Sequence, residues 1–124
     1  LNACDIILAD PHFWGFDGAI RMSQLLDSWG LTHYFKAVIS GEQFISSKPD
    51  PEIFYRAAEA LGTAPEHTLV LEDSYNGVRA GAAGGFVTVM VPDLMQPAEE
   101  IAQLYDRKCE DLLEVRDLLI EGKL

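Results

Sequence analysis

The chain has 124 residues, 48% of them hydrophobic and 23% charged, the balance of one globular domain large enough to bury a core. Its formal charge of −11 repels polyphosphate backbones at long range, which argues against nucleic acid as a partner. No apolar run approaches the length of a membrane span, and no basic-then-apolar leader precedes the first segment; a soluble, cytoplasmic monomer is the expectation.

In chain order, Asp5-Ile6-Ile7-Leu8-Ala9 is a short apolar run suited to a buried strand, and Pro11 breaks it. The stretch through Trp14-Gly15-Phe16-Asp17-Gly18 reads as a loop. From Ala19, the positions Ile20, Met22, Leu25, Leu26 and Trp29 suit one face of a helix that Gly30 closes. Lys36 to Ser40 reads as the next strand. Asp50-Pro51-Glu52 is a helix start, with an acceptor at the cap, proline in the first turn and then an acid. Ile53, Phe54, Ala57, Ala58 and Leu61 share a face of that helix, which Gly62 ends.

Thr68 to Leu71 is the following strand, and Asp73 or Ser74 can cap a helix beginning near Tyr75. Its small residues, Gly77, Ala80, Gly81, Ala82 and Ala83, let it lie close against a sheet. After Gly84-Gly85, Phe86 to Val91 is a strand halted by Pro92. Helices over Ala98 to Tyr105 and Asp111 to Ile120, with a short edge strand near Arg107–Glu110, complete the pattern. Strands alternate with helices at the spacing of right-handed crossovers in a parallel sheet, so the expected class is α/β. Cys4 and Cys109 fit no metal or redox spacing and read as buried thiols. His12, His33 and His67 are scattered singly and read as structural or solvated.

The chemistry concentrates at Glu72-Asp73-Ser74-Tyr75-Asn76-Gly77, directly after an apolar run. Two carboxylates where a buried strand ends are costly unless a positive group meets them, and a divalent cation such as Mg²⁺ is a natural partner. The plainer alternative is that Asp73 only caps a helix and Glu72 is solvated. Lys48 stands before Pro49-Asp50-Pro51, in a stiff segment at the mouth of a helix, an arrangement that suits an anion. In open α/β sheets, ligands bind beyond the carboxyl ends of the strands. A cation site and a fixed ammonium group there describe a place for a phosphate.

Gly30-Leu31-Thr32-His33-Tyr34-Phe35, Val38-Ile39-Ser40-Gly41-Glu42, Lys48-Pro49-Asp50-Pro51-Glu52-Ile53-Phe54 and Leu71-Glu72-Asp73-Ser74-Tyr75-Asn76-Gly77-Val78 occur in that order. Together they resemble the haloacid dehalogenase superfamily, in its β-phosphoglucomutase-like branch of phosphatases and mutases, from about Ala19 to the end of the chain. The resemblance implies a Rossmann-like three-layer core, a helical cap domain inserted after the first strand, and Mg²⁺-dependent phosphoryl transfer through an aspartyl-phosphate. It also implies that Lys48 neutralises the phosphoryl group, that Glu72 and Asp73 hold Mg²⁺ directly or through water, and that the substrate is a small phosphorylated metabolite.

The sequence departs from the family pattern in two places. It contains no Asp-x-Asp, the motif that carries the family's nucleophile; Phe16-Asp17-Gly18 matches only that motif's flanks. Asp10 stands after the first predicted strand, at the substrate-phosphate position where the pattern has Ser or Thr, and a carboxylate there repels phosphate. The expectation is the C-terminal part of a core whose first strand, nucleophile and cap lie outside this sequence, inactive by itself. The alternative is a catalytically inactive relative that binds a metal or a partner. A signalling receiver module, another parallel α/β domain with carboxylates and a lysine, fits poorly, because its acidic pair precedes its lysine whereas Lys48 comes first here.

Overall fold

A computed structural model of the chain describes residues 7–8, 18–39, 49–92 and 98–124. Its strands are β1 (Ile7–Leu8), β2 (Ala37–Val38), β3 (Leu69–Glu72), β4 (Val87–Met90) and β5 (Arg107–Lys108). Its helices are α1 (Gly18–Ser28), α2 (Glu52–Leu61), α3 (Tyr75–Ala83), α4 (Glu99–Ala102) and α5 (Leu112–Ile120). All the strand pairs are parallel: β1 with β2, β3 with β4, and β4 with β5. The alternation of strand and helix therefore produces the expected α/β class.

The alternation of side chains along each strand sets the layers. Val70 and Glu72 share one face with their cross-strand partners Thr88 and Met90. On that face Val70 packs with Ile53, Phe54 and Ala58 of α2, Ala80 of α3, and Phe86, while Met90 packs with Val78 of α3 and Ile101 of α4. On the opposite face Val89, with Leu69 beside it, meets Val115 and Leu118 of α5 and the buried Cys109. Helices thus cover both faces of β3–β4–β5, the three-layer arrangement of a parallel sheet. At Gly81 a Cβ would lie 2.5 Å from Thr88 Oγ1, so α3 sits closer to the sheet than any larger residue allows.

The ends of the elements differ in places from the sequence reading. The helix predicted from the Asp50-Pro51-Glu52 start begins at Glu52. Asp50 accepts the Glu52 N–H at 2.9 Å, and the Pro51 carbonyl takes the N–H groups of Phe54 and Tyr55, each at 3.0 Å. Gly62 closes α2 with a φ of 73°, in the left-handed region that favours glycine. The predicted helix from Ala98 to Tyr105 is only α4, four residues long, because the chain must straighten to join β4. Asp106 does this by donating its N–H to the Thr88 carbonyl and accepting the Thr88 N–H on its carboxylate, both at 2.8 Å. The expected single sheet is, among the described residues, a two-stranded and a three-stranded sheet. Packing of Ile39 against the α2 core and a 3.3 Å bond from Lys36 Nζ to the Leu61 carbonyl join the two parts. Among the described residues no helix is long and apolar enough to cross a membrane.

Candidate active site

β3 runs one residue further than the sequence indicated and ends on Glu72. The Glu72 carbonyl accepts the Val91 N–H at 2.8 Å, so β4 fixes the backbone from which this carboxylate projects. The strand stops because Ser74, extended at φ −111° and ψ 151°, caps α3 with its side chain. The Ser74 Oγ accepts the Gly77 N–H at 3.0 Å. Of the two caps open to the sequence, Ser74 is the one used, and the plain role for Asp73 as that cap is set aside.

Glu72 and Asp73 are neighbours in quite different surroundings. Glu72 shares the inner face with Val70 and is only 8% exposed, whereas Asp73, past the end of the strand, is exposed. Glu72 is therefore not the solvated residue of the plainer reading. A carboxylate so deeply placed must be hydrogen-bonded, and the Ser74 hydroxyl donates to its Oε2 at 3.1 Å. The side chain also lies against the first turn of α3, where the helix dipole favours negative charge. A Cβ at Gly77 would overlap the Glu72 carboxyl group. Glycine at 77 is thus more than the general packing residue that its small size suggested. In the sequence Ser74 is a possible cap and Gly77 a small packing residue, and neither is linked to Glu72. The usable signal was the spacing Glu72-x-Ser74-x-x-Gly77, which sets a hydroxyl two residues beyond a strand-end acid and a vacancy one turn later.

Lys48 and Asp10, the expected phosphate contacts, lie outside the described residues, as do Asp17, His12 and Cys4. His33 and His67 are exposed in short 3₁₀ turns. α2, whose start follows Lys48 by four residues, packs on the sheet face that carries Glu72. Hard carboxylate oxygens at Glu72 and Asp73 are the donors Mg²⁺ takes, one or two to a site, with water and phosphate completing the shell. Among the described residues no group of three or more His, Cys, Asp or Glu gathers into a fuller cage.

The sequence model of the haloacid dehalogenase-like hydrolases matches residues 16–85, more than half of the chain. The chain belongs to that family. It is 38% identical over 84 residues to a β-phosphoglucomutase of Mycobacterium tuberculosis, a match covering 64% of this chain and 32% of the relative. It is 33% identical over 99 residues to a phosphoglycolate phosphatase of Nitrosococcus oceani, covering 79% of this chain and 44% of the relative. Among solved structures, the crystal structure of a HAD phosphatase from Thermococcus onnurineus superposes with a TM-score of 0.66 at 26% identity, over 79% of this chain and 45% of the other. The sequence of this haloacid dehalogenase-like chain thus spans less than half the length of each of these relatives, and its fold is the family's Rossmann-like one.

Proposed function

We propose that the protein carrying this chain is a Mg²⁺-dependent phosphoryl-transfer enzyme, a phosphatase or sugar-phosphate mutase acting on a small phosphate ester. The observation that carries this reading is the acid pair at the carboxyl end of β3, with Glu72 buried and oriented in a chain of this family. The names of the relatives, a phosphoglucomutase and a phosphatase, support the substrate class.

In this reading Glu72 and Asp73 hold the ion, and Lys48 sets its ammonium against the phosphoryl oxygens. Mg²⁺, when bound, supplies positive charge to those oxygens and aligns them. The nucleophile is an aspartate of an Asp-x-Asp segment, which this sequence does not contain. Its carboxylate forms a bond to phosphorus as the ester P–O bond breaks, and the departing oxygen takes a proton from solvent. Water, or a sugar hydroxyl in a mutase, then attacks phosphorus, giving its proton to solvent as the aspartate O–P bond breaks and the carboxylate is restored.

The test is hydrolysis of a generic phosphomonoester by the complete protein, with and without Mg²⁺. Turnover is expected to require the metal and to collapse in the Glu72→Ala, Asp73→Ala double variant. Unchanged turnover in that variant removes the metal assignment, and no turnover by the wild type favours the inactive binding relative.

A further inference from the structure

We propose that Ser74 and Gly77 are positioning residues for the Glu72 carboxylate: together they form a seat that fixes it for metal binding. This rests on the magnesium reading above and extends it to two residues whose evident role is structural. The seat has two parts that act on the same carboxyl group. The Ser74 hydroxyl uses both of its capacities, accepting the Gly77 N–H at 3.0 Å and donating to Glu72 Oε2 at 3.1 Å. Its single proton is thereby directed to Glu72, and the helix cap and the carboxylate orientation become one device. Gly77 supplies room, for a methyl group there would occupy the volume now filled by the Glu72 carboxyl carbon and Oε2.

The backbone on both sides of this seat is held. The Glu72 carbonyl accepts the N–H of Val91, the residue just past β4, and the Val78 N–H donates to the Ser74 carbonyl at 3.0 Å. With strand and helix both fixed, the Ser74 hydroxyl and the room left at Gly77 bear on where the carboxylate lies. Groups that hydrogen-bond a ligating carboxylate set its orientation, and losing one weakens metal affinity by about 10–100-fold.

Three substitutions in the complete protein separate orientation from folding. Ser74→Thr keeps the hydroxyl. Ser74→Gly removes it while leaving a residue that helix caps tolerate well. Gly77→Ala favours the helix but drives Glu72 out of its seat. The probe is Mn²⁺ binding followed by electron paramagnetic resonance with Mg²⁺ as competitor, alongside thermal melting of the metal-free protein. The expected result is wild-type affinity in Ser74→Thr and affinity about 10–100-fold weaker in Ser74→Gly and Gly77→Ala. Melting should stay near wild type in Ser74→Thr, and Ser74→Gly should melt lower yet remain fully folded at the temperature of the binding measurement. If Ser74→Gly and Gly77→Ala bind Mn²⁺ as tightly as wild type, the positioning role is wrong while the metal site stands. Wild-type affinity in the Glu72→Ala, Asp73→Ala variant removes the metal site, and the positioning role falls with it. Should Gly77→Ala fail to fold, Ser74→Gly decides between the same outcomes.

Discussion

Ser74 shows how much one side chain can settle at a strand end. By taking the cap of α3 it releases Asp73 from that duty, and by donating to Glu72 it keeps a buried carboxylate hydrogen-bonded. The acid pair was legible in the sequence because two carboxylates after an apolar run have few uses. The separate fates of its members were not, since they depend on which side chain caps the helix. Lys48 is the other residue on which the account depends. Removing a donor aimed at developing charge costs about 10²–10³ in turnover, and Lys48→Ala in the complete protein should show a loss of that size in steady-state phosphatase assays. Cys109 behaves differently, as an interior group. Burial, reinforced by Glu114 and Asp111 and opposed by Arg107, raises its pKa above the ordinary thiol value. A raised value in the folded state means the thiol stays protonated longer there than in the unfolded chain. This contribution to stability is complete below the unfolded thiol's pKa and is lost as pH rises through the folded one. Iodoacetamide at neutral pH should accordingly leave Cys109 unmodified in the native protein and label it after denaturation, as read by peptide mass spectrometry.

Among the elements, those with both a periodic apolar face and a distinct stop signal were readable in advance. α2 is the clearest instance: Ile53, Phe54 and Ala58 are buried as the periodicity required, and Gly62 ends the helix. α3 and α5 likewise begin at capping residues, Ser74 and Asp111, the latter accepting the Glu114 N–H at 2.9 Å. α4 misled because its helical pattern competes with a tertiary demand that leaves no local trace. Asp106 must reach Thr88, which is fully buried in β4. Asp106→Ala strands that N–H without a partner, and chemical denaturation should show a loss of about 1–3 kcal/mol. Gly81→Ala presses a methyl group on Thr88 Oγ1 and should also cost about 1–3 kcal/mol by overpacking. The two sites touch one residue, so a double variant should deviate from additivity.

For the molecule as a whole, the arrangement of layers was legible and the continuity of the sheet was not. Strand–helix alternation gives parallel strands covered on both faces, and this is what β3–β4–β5 and its helices form. Whether two groups of parallel strands join into one sheet depends on pairing between distant segments, to which apolar periodicity is blind. Among the described residues β3 has one sheet neighbour, β4, and Leu71, next to the acid pair, is 41% exposed.

In the proposed function, Lys48 and an ion at Glu72 and Asp73 neutralise the same phosphoryl group. The most direct measurement is a crystal structure of the complete protein with Mg²⁺ and aluminium fluoride, a mimic of the transferring phosphoryl. It should place the Lys48 Nζ about 2.7–3.2 Å from a fluoride of that mimic. A second fluoride of the same group should bind a Mg²⁺ ion held by Glu72 and Asp73, at about 2.0–2.1 Å where a carboxylate binds it directly and otherwise through one of its waters. A Lys48 Nζ on the other side of the sheet, or an ion bound away from both carboxylates, would contradict it.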